Sequence, residues 1–530
     1  MTSVERFLYA RRNGDITRLE KSTAIEISKQ QRIGALGEIV DCEADLPIGS
    51  IVVDAHVLYK LKADDRDTCR LAIMGNRMPK EPTSKTFASV VSDGAKMFSF
   101  AAMQAHCAMR GEDLIISDAD VVGGFLHIPL NSPVPLFVRM PKSLPHPIAG
   151  KLVRILAAIY GLQESNRLFN LEMTRVIVQD AGFVCTQVES QVFIKCLKSD
   201  SGKKCITCVT VDDAVILSNE QSLVDDLLAA LSKRFGPLTV NKVTTVHTGL
   251  EVTRYPNGAL LITQDRSIAR AASVVGVSHL PPVDLPVALD FFQLCTDPLL
   301  LFPVDATVYS SLTGRLVQYL KTRHEIRQFV SYLCSFNVAP LECHYRQAIH
   351  MLRYIASTPG MGCVFRYSGD VVITAASDSA CGIFPDGRSS GAHLLSIGPD
   401  NAPFICSAKA QIPVATCPMT GEYYSAGDSC SDIIHYRQLA EDLGWIQLDP
   451  TVLCVDNQTA LSLAVAPQVS KKSRHIFIKY HNIRWLVLSN VISLKYVPTK
   501  QMRANVLTKA LSKKHFVRER DVLFNRLALD

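Results

Sequence analysis

Six acidic residues stand where folding would set them at strand ends or on a helix face. Asp212 and Asp213 interrupt CVTVDDAVILS, residues 208–218, a run otherwise apolar enough for a buried hairpin with the acids at its tip. Asp120 closes a strand-like run in the same half of the chain. A second set comprises Asp378 and Asp456, each ending a strand, and Glu422 on a helix. A carboxylate moved into an apolar interior costs several kcal/mol or more unless a cation or hydrogen-bond donors compensate it. Carboxylate oxygens are hard donors that suit Mg²⁺, and two such ions about 4 Å apart accelerate in-line displacement at phosphorus. Two acidic clusters therefore point to two phosphoryl-transfer sites. Against this stands the commoner fate of any single Asp, a cap or a turn, and spacing alone leaves both readings open.

The elements that must position these acids can be read from pattern. IVVDAHVLYKLKADDRDTCRLAIMG, residues 51–75, predicts two strands joined by a charged turn, and AKMFSFAAMQAHCAMR, residues 95–110, a helix. LIISDADVVGGFLHIPL returns to strand character, with Gly123 and Gly124 marking a sharp bend. Residues 164–181 predict a helix, and residues 192–218 predict strands around the acid pair. Beyond a proline-rich separator at 281–303, residues 309–357 predict two packed helices. A last block from about 364 to 525 alternates strands and helices: strands at VVITAASDSA, HLLSIG, TVLCVDN and VISLKYVP, helices at TGEYYSAGDSC and NQTALSLAVA. The succession is α/β or α+β.

Composition fits this. With 530 residues, 48% hydrophobic and 20% charged, the chain is globular and long enough for two to four domains. No apolar run reaches the ~18 residues a membrane helix needs, so no membrane partner is expected. The start, MTSVERFLYARRNGD, is too charged for a signal peptide. Sixteen cysteines without even spacing argue for reduced thiols, and Cys205 and Cys208 lack the second pair a zinc site needs. The net charge is +6, with Lys471, Lys472, Arg474, Lys479, Arg484, Lys495, Lys500, Arg503, Lys509, Lys513 and Lys514 near the end. They form either a phosphate-contacting surface or a solvated face.

A dozen strings then appear in order. KTFASVV, DVVGGFLHIPL, LAAIYGLQESNRLF, VDDAVILS and FGPLTVNKVTTVHTGLEV resemble the reverse transcriptase of Ty1/copia-type LTR retrotransposons. YSSLTGRLVQYLKTRHEI, LRYIASTPGMG, SDSACGIFPDGRSSGAHLL, KAQIPVATCPMTGEYYSA, CVDNQTALSLA, SRHIFIKYHNIR and YVPTKQMRANVLTKALS resemble its continuation into ribonuclease H. The resemblance implies a right-hand-like fingers/palm polymerase fold with thumb/connection helices, followed by a ribonuclease H-like mixed α/β domain. The boundaries it implies are an N-terminal extension over 1–44, fingers/palm over 45–255, thumb/connection over 256–365, ribonuclease H over 366–512 and a basic tail over 513–530.

By the same resemblance Asp120, Asp212 and Asp213 would hold two Mg²⁺ ions, with Mn²⁺ as a substitute, at a polymerase site; Asp378, Glu422 and Asp456 would do so at a ribonuclease H site. Phe125 would lie under the sugar and exclude a 2′-hydroxyl, or be a plain core residue. Tyr160 and Gly161 match the loop that approaches nucleotide and template, and Arg70 would contact the triphosphate or stay solvated. Implied partners are an RNA template, a DNA primer, an RNA:DNA hybrid and dNTPs, with a homodimer or association with other Pol or Gag products. The implied location is cytoplasmic, in a virus-like particle, and/or nuclear.

The sequence also departs from the family pattern. Thr210 stands for a tyrosine, Val122 for a lysine, Glu164 and Asn166 for a glutamine and a proline, and Ala380 for a second acid. Asn505 takes the place of a fourth ribonuclease H carboxylate, offering a carbonyl oxygen to a metal but no charge. No zinc knuckle, protease or integrase is recognisable, so a processed product, a truncated reading frame or a decayed copy is expected. The competing functions are a catalytically impaired relic that only binds nucleic acid and a metal-dependent phosphohydrolase of small substrates. If Asn505 weakens metal binding, Asn505→Asp lowers the Mg²⁺ concentration needed for hybrid cleavage, read by Mg²⁺ titration.

Overall fold

The structure is a computed structural model and describes residues 16–61, 67–78, 88–132, 134–242, 249–293, 298–367, 369–412, 414–415, 417–465 and 477–529. The chain opens with helix α1 (Ile16–Arg32) and strands β1 (Leu36–Val40), β2 (Ile51–Leu61) and β3 (Asp67–Ile73). Helix α2 (Asp93–Arg110) and strand β4 (Ile115–Val121) follow, then β5 (Leu136–Arg139) and β6 (Leu152–Ile155). Strands 1, 6, 5, 2 and 3 make one sheet in that order. β1 pairs with β6, and α1 lies on β3. The expected boundary at residue 44 is therefore corrected: residues 16–44 build the fingers-like sheet instead of extending from it, because Leu19, Ile27 and Leu36 are buried in its core.

The chain continues through α3 (Ser165–Arg175), which runs into a π turn to Asp180, then β7 (Val184–Cys185), β8 (Val192–Leu197), β9 (Asp200–Thr210) and β10 (Asp213–Ser218). Helix α4 (Gln221–Phe235) and β11 (Leu238–Lys242) complete a six-stranded sheet in the order 11, 4, 10, 9, 8, 7. Strand β13 (Leu260–Thr263) pairs with β12 (Glu251–Arg254) on one side and with the later β14 (Cys363–Phe365) on the other, and helices α5 (Asp265–Val275), α6 (Ala306–Tyr319), α7 (Arg327–Cys334) and α8 (Glu342–Ala356) lie between β13 and β14 in the chain. Three helices thus occupy 306–356 where two were expected. The interruption at 320–326 holds an ion pair: Arg323 and Glu325 meet at 2.7 Å with no side-chain exposure. Arg323 also donates to the Ile355 carbonyl and the Thr358 hydroxyl.

The last unit has β15 (Ile373–Ala380), β16 (Ser390–Ile397), β17 (Pro403–Ala410), α9 (Pro418–Asp442), β18 (Thr451–Val455), α10 (Gln458–Val465), α11 (Phe477–Leu488), β19 (Ile492–Tyr496) and α12 (Lys513–Leu523). Its sheet runs 17, 16, 15, 18, 19, with β15, β18 and β19 parallel. The tail expected at 513–530 is a second correction: α12 buries Phe516 and Leu523, so its apolar stripe docks it. Of the basic residues singled out, 471, 472 and 474 and the side chain of 479 lie outside the described residues.

One helix ties the units together. Every residue of α2 from Ala95 to Cys107 is buried, and its faces meet β10 on one side and β16 and β17 on the other. Phe98 packs edge-on to Phe404 with ring centroids 5.1 Å apart. No described helix is long and apolar enough to cross a membrane. Fourteen described cysteines are free thiols, including the buried Cys205 and Cys208, whereas Cys343 is disulfide-bonded, against the expectation of reduced thiols throughout.

Removing one member of a buried ion pair strands the other. Arg323→Met is expected to destabilise the chain by about 3–5 kcal/mol in urea unfolding, and Arg323→Met with Glu325→Gln to recover most of that loss.

Candidate two-site acidic centre

At the first site, β-sheet register does the positioning. Asp213, the first residue of β10, is the cross-strand partner of Asp120 on β4 and of Thr210 on β9. Directly opposite residues in antiparallel strands have Cα atoms about 4.5–5.5 Å apart, so the two acids are held side by side. The turn between β9 and β10 is Val211–Asp212. Val211 has φ 59°, a left-handed conformation that a β-branched residue rarely adopts. The backbone of Asp212 is tied down by a bond from the Val121 amide to its carbonyl at 3.2 Å. The strain at Val211 thus sits where the hairpin tip is fixed against β4, a common place for it at functional sites.

None of these three carboxylates has a hydrogen-bond donor or ion-pair partner among the described residues. Burial, and then the Asp212 and Asp120 charges, push Asp213 up to about 6. Burial and Asp212 also raise Asp120, opposed by Lys29 and Arg70. Repulsion is therefore built in, and a cation would relieve it.

The residues expected to contact nucleotide lie alongside. Gly123 has φ 72° and starts the bend into a short 3₁₀ turn, Gly124–His127. A Cβ on Gly124 would come within 2.9 Å of the Phe169 ring, so glycine lets the turn close over that ring. Phe125 is buried edge-on against Tyr160 and Phe169, at 5.2 and 5.7 Å. Arg70 is exposed on β3 with its guanidinium 5.0 Å from the centre of the Tyr160 ring. Gly161 has its own structural cause: φ is 90°, and a Cβ would lie 2.1 Å from the Ile73 carbonyl oxygen. Glu164 precedes α3, and the Thr210 hydroxyl is buried without a partner.

Lys29 was missed by sequence reasoning. It lies in the last turn of α1, some ninety positions before Asp120 in the chain, and only tertiary packing brings its amine to the Gly123 turn. A lysine in the last turn of an amphipathic helix carries no sequence signal of that placement.

At the second site the three acids converge more tightly. Asp378, Glu422 and Asp456 each place a carboxylate oxygen within 4.8 Å of the others, which no other His, Cys, Asp or Glu trio among the described residues does. β15 and β18 are parallel and paired through Ala376 and Cys454, so Asp378 and Asp456 project two residues further on at the same edge. Gly421 admits the helix: a Cβ there would sit 2.3 Å from the Ser379 hydroxyl. That approach lets the Ser379 amide donate to Glu422 at 3.0 Å. Thr508 donates to Asp378, and Thr499 to Asp456 at 2.8 Å. Asp378 and Glu422 are 1% and 5% exposed. Burial, with the neighbouring acids adding to it, raises the Glu422 carboxyl to about 9; burial also raises Asp378, and the Lys509 charge partly opposes both.

The second Glu422 oxygen and the Asn505 side-chain oxygen are buried acceptors with no donor. An all-oxygen donor set with orphaned acceptors fits a hard divalent cation. The Asn505 amide nitrogen, however, donates to Glu519 on α12 at 2.8 Å. Asn505→Asp alone would set two carboxylates against each other, so restoring charge at 505 requires Glu519→Gln as well.

Residues 43–287 match the family described as reverse transcriptase (RNA-dependent DNA polymerase). The chain is 29% identical over 369 residues to the retrovirus-related Pol polyprotein from transposon RE1 of Arabidopsis thaliana, covering 68% of this chain and 24% of that protein. It is 24% identical over 487 residues to the retrovirus-related Pol polyprotein from transposon TNT 1-94 of Nicotiana tabacum, covering 89% and 35%. The chain thus spans between a quarter and about a third of these curated relatives. Among solved structures, the foamy viral protease-reverse transcriptase in complex with dsDNA superposes with a TM-score of 0.46 at 11% identity, covering 84% of this chain and 78% of that one.

Metal-free stability carries a signature of the second site. The folded chain keeps a proton on Glu422 up to about pH 9, whereas the unfolded chain releases it near the ordinary value of 4.5. Stability in EDTA should therefore fall as pH rises from 4.5 toward 9, because the folded state binds more protons in that window. Thermal melts against pH should show this slope flattened by Glu422→Gln and by added Mg²⁺.

Proposed function

Because residues 43–287 belong to the reverse transcriptase family, in the form carried by copia-type transposon Pol polyproteins, we propose that this chain is an RNA-directed DNA polymerase joined to a ribonuclease H. The observation that carries the reading is the pairing of Asp213 with Asp120 at a strained, tethered hairpin tip, where desolvated acids lack any donor. Charging such a site costs free energy that a bound cation would offset, and cations held by acids suit chemistry on phosphates.

Asp120, Asp212 and Asp213 would hold two Mg²⁺ ions, with Mn²⁺ as a substitute, and Asp378, Glu422 and Asp456 another two. When bound, such ions activate the attacking oxygen and neutralise charge on the leaving one. At the first site the three acids orient a primer 3′-hydroxyl toward the α-phosphate of a dNTP selected by an RNA template. Phe125, held rigid by Tyr160 and Phe169, would set the floor beneath the sugar. Arg70 would reach the triphosphate from the fingers side. At the second site Thr508, Thr499 and the Ser379 amide hold the carboxylates in place while water attacks the RNA strand of an RNA:DNA hybrid. Recognition there would follow phosphates, groove shape and the 2′-hydroxyl.

A decayed copy that only binds nucleic acid is the rival reading, favoured by Asn505 and its engagement with Glu519. Primer extension on an RNA template separates the two. The natural chain is expected to extend and Asp213→Asn to lose about three orders of magnitude or more in rate. Glu422→Gln should abolish hybrid cleavage while leaving extension intact. Product formation that is absent, or independent of Asp213, would overturn the polymerase reading.

A further inference from the structure

Helix α1 is fixed to the fingers-like sheet along one edge. Leu19 packs with Tyr59 and Cys69, Ile27 enters the sheet core, and the Thr23 hydroxyl meets the Tyr59 hydroxyl at 2.9 Å. That docking determines where Lys29 points. A Cβ on Gly123 would lie 2.8 Å from the Lys29 Cε and 2.9 Å from its Nζ, so the amine occupies the slot that a side chain at 123 would fill. The same turn continues into Gly124, whose Cβ would lie 3.5 Å from the Asp212 Cβ. Lys29 therefore stands just across a glycine bend from the polymerase acids.

Two further facts bear on what this amine is for. Lys29 has no ion pair or hydrogen bond from its side chain among the described residues. Val122, beside the bend, is apolar and 42% exposed, so the strand end contributes no cation of its own. Lys29 and Arg70 are the two cations that act on Asp120, and both come from the fingers side, opposite the hairpin tip. With divalent cations at the acids, the Lys29 ammonium would add to a local surplus of positive charge, which an anion would balance. A triphosphate drawn to metals at Asp120 would bring that anion to the fingers side.

We propose that the Lys29 ammonium binds the β- and γ-phosphates of the incoming dNTP, making helix α1 part of the nucleotide site; this rests on the polymerase reading above. As a compact charge with three donors, lysine suits a phosphate tail whose oxygens it meets singly.

The test uses the full chain on a dideoxy-terminated primer annealed to an RNA template, with Mg²⁺ and the correct dNTP. Dissociation constants are measured for dNTP and for primer–template, alongside kcat and KM for single insertion on an extendable primer. Lys29→Gln is expected to raise the dNTP Kd and KM about tenfold, as loss of one charge-assisted contact would. Primer–template affinity, kcat and thermal melting should stay near natural values, and Lys29→Arg should recover most of the loss. Unchanged dNTP affinity in Lys29→Gln overturns the inference alone, as does a loss confined to primer–template affinity. A natural chain that neither binds the dNTP nor extends the primer overturns the polymerase reading and the inference with it.

Discussion

Repulsion between carboxylates drawn partly out of water is the constraint on which the rest of this molecule turns. At the first site burial and the Asp212 charge raise the proton affinity of Asp120 and Asp213, and none of the three carboxylates receives a donor among the described residues. At the second, Asp378, Glu422 and Asp456 bring oxygens within 4.8 Å of one another, relieved only by two hydroxyls, one amide and the charge of Lys509. Neither arrangement would arise from optimising stability, since apolar residues in the same places would cost less. Both persist because rigid elements hold them: an antiparallel ladder at one site, a parallel ladder and a close helix at the other.

That rigidity has local causes. Val211 is kept left-handed by ladders on both sides of the hairpin and by the bond from Val121 to Asp212. Gly421 lets α9 approach β15 near enough for Glu422 to receive the Ser379 amide, and Gly161 lets its loop touch the end of β3. The two sites also share a scaffold. Helix α2 is buried between the polymerase-like sheet and β16 and β17, so the interior of one unit is completed by the other. A substitution such as one at Phe98, which packs on Phe404 and Tyr436, would be felt in both.

Much of the secondary structure was legible because strands and helices of ordinary length carry a clear period. The strands bearing Asp120, Asp213 and Asp378, and the one that Asp456 follows, fall where the pattern places them, as do α2 and α9. The misreadings have physical reasons too. Residues 16–44 and 513–529 look like charged appendages in one dimension. Their buried residues, Leu19, Ile27, Phe516 and Leu523, are too sparse to signal docking until the sheets they cover exist. The third helix in 306–356 was hidden because its break is made by a buried ion pair, not by proline or glycine.

The sequence by itself determined the chemistry on offer: which residues are acids, the strands they end, and the order of motifs that sets the family. Residue type and periodicity are local properties, and local properties survive in a string. Only the tertiary structure decided who meets whom. It opposed Asp213 to Asp120 and turned Asn505 toward Glu519. It gave Gly161 a packing reason and carried Lys29 to the Gly123 turn. Those outcomes depend on register, on the space a missing Cβ leaves, and on elements far apart in the chain closing on one another, none of which spacing encodes.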